Sequence, residues 1–342
     1  MARRFLRLAL YVTVPIVLAL IAAGIWLLAE LNSPYYDSPE AETFVVIPRG
    51  ASSLVVADIL VGKGILRSRS PFLLHLRHKG LERRIQAGEY LFTHPATPPQ
   101  IAQRLVNGDT YFLSITIPEG LTADETITLL AKNGFGNRDE MKRALLRTEW
   151  IADLDPAAQN LEGYLFPETY HFSRNEVSEQ IIRTMTEQFR KRISSILEVS
   201  PLPEGWNIAR IVNLASMIEK EAQVAEERPL VASVLVNRLA VGMTLGCDAT
   251  IIYGMKLAGI WEGRIGRADL ERDSPYNTYI HRGLPPGPIC NPGEASIKAA
   301  LNPAETDYYY YVSRNDGTHL FSKDYASHLR AVNRYQRPPA RR

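Results

Sequence analysis

The stretch NIARIVNLASMIEKEAQVAEERPLVASVLVNRL, Asn207 to Leu239, sets two glutamates and a lysine inside an apolar run. Residues in an α-helix advance by about 100° each. Ile208, Ile211, Val212, Ala215 and Ala222 then share one face, and Glu219 falls inside it. Lys220 and Glu221 turn away from that face toward Arg210, where a solvated or paired charge is ordinary. A carboxylate on a buried face needs a partner, or it keeps its proton through a raised pKa. The second condition is what a general acid requires at neutral pH. The first is met by an arginine or a backbone amide, and the helix alone leaves both readings open.

Around this helix lies a chain of 342 residues, 46% hydrophobic and 22% charged. That suits a membrane anchor and two modest folded domains. A net charge of +2 with no long basic block gives no argument for nucleic acid. Leu8 to Ala29 is an uncharged apolar run of 22 residues, long enough to span a bilayer. Arg3, Arg4 and Arg7 precede it, and Glu30, Asp37, Glu40 and Glu42 follow. The positive-inside rule puts the N-terminus in the cytoplasm and the rest outside. A cleaved signal peptide would have a shorter apolar core and a small-residue cleavage site. Pro15 is tolerated within a membrane span. Cys247 and Cys290 permit a disulfide in an oxidising compartment, but spacing does not decide it. The histidines show no ligand spacing with these cysteines, so no metal and no organic cofactor is expected.

Residues 31–43 read as a linker. Two segments then share one plan: FVVIPRGASSLVVADILVGKGIL (Phe44–Leu66) and LSITIPEGLTADETITLLAKNGF (Leu113–Phe135). Each runs from a β-branched strand through Ile-Pro-x-Gly into a helix-like stretch. From Thr122 the pattern predicts helices over 123–133, 138–148, 177–199, 208–223, 228–241, 294–300 and 323–335. Two strands are predicted around a turn at Asn315-Asp316-Gly317. The fold class is therefore α+β: an N-terminal transmembrane helix (1–30), the linker, a small α+β module (44–121) and a larger, mainly helical domain (122–342) with a short strand pair near its end.

Three loops carry chemistry. Ser274 to Gly293 (SPYNTYIHRGLPPGPICNPG) is long, rich in proline and glycine, and bears Tyr276, Asn277, Thr278 and Tyr279. Long irregular segments inside compact domains are usually functional. Aromatic rings beside amides and hydroxyls suit a sugar polymer, although a rigid structural loop would read the same. LEGYLFPETYHF (Leu161–Phe172) places Glu162 and Glu168 around Tyr164 and Phe166. These carboxylates read either as an acid/base pair or as anchors for backbone amides. Asn237 and Arg238 close a helix, and Asp248, Thr250 and Tyr253 follow a glycine turn. Arg238 is a partner for a nearby carboxylate and Asp248 an N-cap for the helix after it.

Taken in order, LEGYLFPETY, ASMIEKEA, RPLVASVLVNRL, the Ser274–Gly293 loop and GTHLFS resemble the endolytic murein transglycosylases, the MltG or YceG-like proteins. The resemblance runs from the membrane helix to about Tyr335. It implies a LysM-like N-terminal module, a catalytic domain on the periplasmic side of the bacterial inner membrane, and Glu219 as the catalytic acid. The reaction implied is cleavage of the β-1,4 bond between N-acetylmuramic acid and N-acetylglucosamine without water. One acid suffices, because the sugar's own 6-hydroxyl attacks and leaves a 1,6-anhydromuramic end. The sugar would be held by Glu162, Tyr164, Asn237, Asp248, Thr250, Tyr276, Asn277 and Tyr279. Partners implied are glycan strands of peptidoglycan, the inner membrane and peptidoglycan synthases. The rival readings are a noncatalytic wall-binding protein tethered to the membrane, and a hydrolytic muramidase using Glu162 or Glu168 as second carboxylate. Where the family shows Leu-Gln-Thr-Asp-Pro-Thr, this chain has LGCDAT (Leu245–Thr250), which puts the role of the second and third side chains in question.

Overall fold

The computed structural model describes residues 2–37, 42–174 and 176–336. Positions 38–41 of the expected linker and 337–342 of the C-terminal tail lie outside the described residues. The chain packs as two compact units, Met1–Leu113 and Ser114–Arg342. The boundary expected after Leu121 lies eight residues further on.

The first unit opens with α1 (Ala2–Asn32), which contains Pro15. Its apolar stretch Thr13–Asn32 is long enough to cross a membrane, and none of it is buried against protein. The stretch after it does not behave wholly as a linker, since Tyr35 bridges to Ala96 and Tyr36 is buried in the unit's core. Then follow β1 (Thr43–Ile47), α2 (Ser53–Gly62), α3 (Arg69–Lys79), β2 (Gly88–Phe92) and α4 (Pro98–Asn107). β1 and β2 pair antiparallel with Val45 opposite Tyr90. Val45, Val56, Leu60, Phe72, Leu76, Tyr90, Ile101 and Leu105 form the core. Thr97 starts α4 with a reciprocal capping box, its hydroxyl on the Gln100 amide and the Gln100 side chain on its own.

The second unit begins with β3 (Leu113–Thr116), α5 (Ala123–Lys132), α6 (Arg138–Ala144), β4 (Thr169–Phe172) and α7 (Ser178–Val199). Next come α8 (Ile208–Glu221), α9 (Arg228–Ala240), α10 (Asp248–Leu257), α11 (Arg267–Leu270) and α12 (Glu294–Leu301). The hairpin β5 (Tyr310–Ser313) and β6 (His319–Ser322) precedes α13 (Tyr325–Tyr335). The hairpin turns at Asn315, which takes a left-handed φ of 64° as the Asn-Asp-Gly signal requires. β3 pairs with β4, so this unit is mixed helical with two short strand pairs among its described residues. The two Ile-Pro-x-Gly turns fold alike, with φ of 76° at Gly50 and 77° at Gly120.

α8 is the centre of the second unit. Every residue from Ile211 to Ile218 is buried, on all sides of the helix and not on one face. The amphipathic reading therefore fails here for a physical reason, because α9, α10 and α12 all pack on α8. The Ser274–Gly293 loop lies on it too. Asn213 donates to the Pro285 carbonyl at 2.7 Å, and the Ser216 hydroxyl accepts from the Ile289 amide at 3.0 Å. Asn291 then joins three motifs. Its side-chain oxygen accepts from the Gly163 and Leu165 amides, its side-chain amide donates to the Leu121 carbonyl, and its own carbonyl accepts from Gly120.

Gly163 shows how close this joint is. It sits at φ 87°, and a Cβ there would lie 2.6 Å from the Pro288 ring and 2.9 Å from Val212. Gly263 has the same φ of 87° with open space around it. In urea unfolding, Gly263→Ala should cost about 1–2 kcal/mol from the left-handed backbone alone. Gly163→Ala should cost about 2–4 kcal/mol, because overpacking against a rigid ring adds to that strain.

Candidate active site

The two glutamates at the end of α8 point about 200° apart, and the fold encloses both. Glu219 has a side chain only 7% exposed. Its carboxylate accepts from the Gly293 amide at 3.0 Å and lies 3.7 Å from the Arg228 guanidinium. Gly293 is the residue before α12, so this contact docks the end of α8 on the start of α12, where a helix favours negative charge. Arg228 also donates to the Ser296 hydroxyl at 3.1 Å. Glu119, from the second Ile-Pro-x-Gly turn, adds its carboxyl against the α-carbon of Gly293. Burial, together with the neighbouring Glu219 charge, pushes the Glu119 carboxyl above its ordinary range while Arg228 opposes the rise. Glu219 therefore has the arginine and the amide that a buried structural carboxylate requires.

Glu221 is not on a solvated face. Its oxygens accept from the Cys247 thiol at 2.8 Å and the Tyr311 hydroxyl at 3.0 Å. Burial holds its carboxyl above the usual range, against the opposing effect of these two donors, and Asp248 adds to the rise. Burial and the Glu221 charge also push the Cys247 thiol and the Tyr311 hydroxyl up, so both remain donors. Glu221 lines a cavity of about 480 Å³ shared with Arg238, Asp248, Tyr279, Tyr311 and His319. Tyr310 and Tyr325 add two more rings. A buried carboxyl with a raised pKa, beside aromatic faces and polar tips, is the equipment for protonating a glycosidic oxygen.

Of the residues expected to hold a sugar, Asp248 and Tyr279 line this cavity, joined by a 2.6 Å hydrogen bond from the tyrosine hydroxyl. Asp248 is not the N-cap of α10. The cap is Cys247, and Asp248 is the first helical residue. The rest serve the scaffold. Asn237 donates to the Thr306 and Tyr308 carbonyls, and Asn277, 1% exposed, donates to the Leu270 and Arg272 carbonyls. Thr250 is buried and bonds to the Cys247 carbonyl and the Thr278 hydroxyl. Tyr164 is buried edge-on against Phe189 with its hydroxyl on Asp155. Tyr276 packs on Tyr253 at 4.9 Å and does not line the cavity. Arg238 braces backbone instead of pairing with a carboxylate, donating to the Tyr309 and Leu245 carbonyls.

Glu162 is an anchor for backbone. One oxygen accepts from the Ala123 amide at the start of α5 at 2.8 Å, and the other meets the Tyr253 hydroxyl at 3.2 Å. Glu168 pairs with Arg192 at 2.8 Å. Neither lines the cavity that holds Glu221. Sequence reasoning passed over Glu221, Tyr311 and His319 as site residues. The tyrosine run Tyr308–Tyr311 beside GTHLFS was the available signal. Both cysteines are free thiols, Cys290 donating to the Ser216 carbonyl.

The YceG-like family matches residues 45–334 of this chain. An endolytic murein transglycosylase of Bacillus subtilis (strain 168) is 32% identical over 333 residues, covering 92% of this chain and 91% of that protein. One from Streptococcus pneumoniae (serotype 2, strain D39) is 25% identical, covering 84% of this chain and 57% of that longer protein. The 2.6 Å crystal structure of a YceG-like protein from Listeria monocytogenes superposes with a TM-score of 0.56 at 30% identity, covering 85% of this chain and 99% of that one.

Burial pushes the Glu162 carboxyl up to about 8. A carboxyl raised on folding stabilises fully below its unfolded value, and that contribution is lost as pH rises through the folded one. Unfolding free energy measured from pH 5 to pH 8 should therefore fall more steeply in the wild type than in Glu162→Gln, whose amide keeps an acceptor and does not titrate.

Proposed function

The chain belongs to the YceG-like family, and on that premise we propose that Glu221 is the proton donor of an endolytic lytic transglycosylase acting on peptidoglycan. The activity is a carbon–oxygen lyase reaction within glycan strands, and the helix Thr13–Asn32 is compatible with a single-pass membrane anchor. The observation that carries the assignment of Glu221 is its carboxyl, raised by burial, in an aromatic cavity between two donors.

In the reaction, Glu221 protonates the leaving glycosidic oxygen and the muramyl C1 gains oxocarbenium character. Cys247 and Tyr311 stabilise the carboxylate as it forms. The 6-hydroxyl of the same sugar attacks C1, and the product ends in 1,6-anhydromuramic acid. Tyr279 and Asp248 supply the polar wall on which the sugar is held. No second carboxylate is needed, and the positions of Glu162 and Glu168 support that route over hydrolysis. Glu219, the acid implied by the family resemblance, fits better as the joint to α12.

The same reading puts Arg3, Arg4 and Arg7 in the cytoplasm and the second unit outside the inner membrane. The order β1–α2–α3–β2 supports a LysM-like module that grips glycan near the membrane. Cutting nascent strands beside the synthases that make them would limit strand length.

Mass spectrometry of muropeptides released from purified glycan strands tests this. Glu221→Gln should lower release of 1,6-anhydromuramic ends by about 10²- to 10⁴-fold. Glu219→Gln should retain the reaction and lose stability, and the reverse pattern would move the acid to Glu219. Tyr311→Phe checks the proton itself. The acid must hold its proton, so the rate falls as pH climbs past its pKa. Removing a donor that stabilises the ionised form raises that pKa further, so the alkaline limb should move to higher pH.

A further inference from the structure

The motif Gly317–Ser322, GTHLFS, has no part in the chemistry so far. Its histidine opens β6 and lines the cavity that holds Glu221. The His319 side chain is 10% exposed, and it is bound twice by one carboxylate. Its backbone amide donates to Glu227 at 2.9 Å, and its ring Nδ1 meets the other Glu227 oxygen at 2.7 Å. A carboxylate only accepts, so Nδ1 carries the hydrogen, and in the neutral form of the ring Nε2 is the acceptor. Among the described residues, none is hydrogen-bonded to Nε2. The ring meets Tyr311 edge to face with centroids 5.4 Å apart, and the same Tyr311 donates to Glu221. One tyrosine thus separates two oriented proton-handling groups in one cavity.

We propose that His319 is a second catalytic residue, whose Nε2 takes the proton from the sugar 6-hydroxyl as that oxygen attacks. The proposal rests on the reading of this cavity as the transglycosylase site. The step balances: the C1–O4 bond breaks as the Glu221 proton passes to O4, and the C1–O6 bond forms as the O6 proton passes to Nε2. Solvent then carries that proton from His319 back to Glu221, and no water enters the product. Direct retrieval by Glu221 competes with the Cys247 and Tyr311 donors, which already occupy both of its oxygens. Pinning β6 to the segment before α9 accounts for Nδ1 and the amide. It does not account for the other ring nitrogen of a residue that lines the cavity.

Asparagine separates these roles, since its side-chain amide reproduces Nδ1–H toward Glu227 and has nothing in place of Nε2. With full-length protein in detergent, purified glycan strands as substrate and a thermal melt for each variant, His319→Asn should lose about 10²-fold or more in kcat with KM nearly unchanged. Glu227→Gln, whose amide also donates and so frees the tautomer, should lose kcat in the same direction, by up to about 10⁴-fold. It decides the matter if His319→Asn does not fold. A folded His319→Asn or Glu227→Gln enzyme with wild-type kcat overturns the proposal. Glu221→Gln run in parallel keeps the two claims apart. If it stays active, the cavity is not the site. If it is dead while His319→Asn is active, only the role of His319 fails.

Discussion

A helix buried on every side imposes a demand that an ordinary surface helix does not. Each polar group on α8 must find a partner inside the protein, because an unsatisfied buried group costs about 1–3 kcal/mol. The Asn213 side-chain amide and the Ser216 hydroxyl meet this demand by receiving the Pro285–Ile289 stretch, while the Asn213 side-chain oxygen stays without a partner among the described residues. Cys290 adds a weak bond to the Ser216 carbonyl. The proline-rich loop is thus held by the polar residues of one helix, and the loop in turn carries Asn291 to the turns at Gly120 and Gly163. Motifs more than a hundred residues apart are brought together by few side chains, so a fault at the joint reaches all of them.

The same enclosure gives two glutamates, two residues apart, opposite fates. Glu219 faces an arginine and a helix start, which tie it to α9 and α12. Glu221 faces a thiol and a phenol, neutral donors that stabilise an anion less than a cation would. Burial then wins, and the carboxyl of Glu221 is raised. A joint and an acid follow from what each neighbouring element presents. Arg238 might have spoiled this balance, but its guanidinium is committed to the Tyr309 and Leu245 carbonyls and lies over the Tyr310 ring.

Most secondary structure was legible because it rests on local signals. The Asn315 turn and the extents of α7, α8 and α9 follow from neighbours in sequence. The site was less legible, because it depends on what covers α8. A helical wheel assumes one wet face, and on that assumption Glu221 was a surface charge. Only the packing of α10 and the β5–β6 hairpin over that face turns it into an enclosed acid. The polar side chains of the Ser274–Gly293 loop divide for a related reason, with Tyr279 on the cavity and Asn277 turned to backbone. Asn277 has the chemistry to bind a sugar, yet its amide is spent on the backbone of its own loop. Composition shows what a residue can bond to, and only the fold shows what it does bond to.

The LGCDAT segment bears on how the acid is tuned. Cys247 stands where the family shows threonine, and its sulfur donates to Glu221. A thiol is a weaker donor than a hydroxyl, so it stabilises the ionised carboxylate less and leaves the proton more firmly on the acid. Gly246 stands where the family shows glutamine, at φ 56° with the Tyr279 ring 3.8 Å from where a Cβ would be. The Tyr279 ring beside it covers the start of α10 and reaches Asp248. A weaker donor at Cys247 opposes the raised pKa of Glu221 less than a hydroxyl would, and the Tyr279 ring held on Asp248 supplies an aromatic wall to the same cavity.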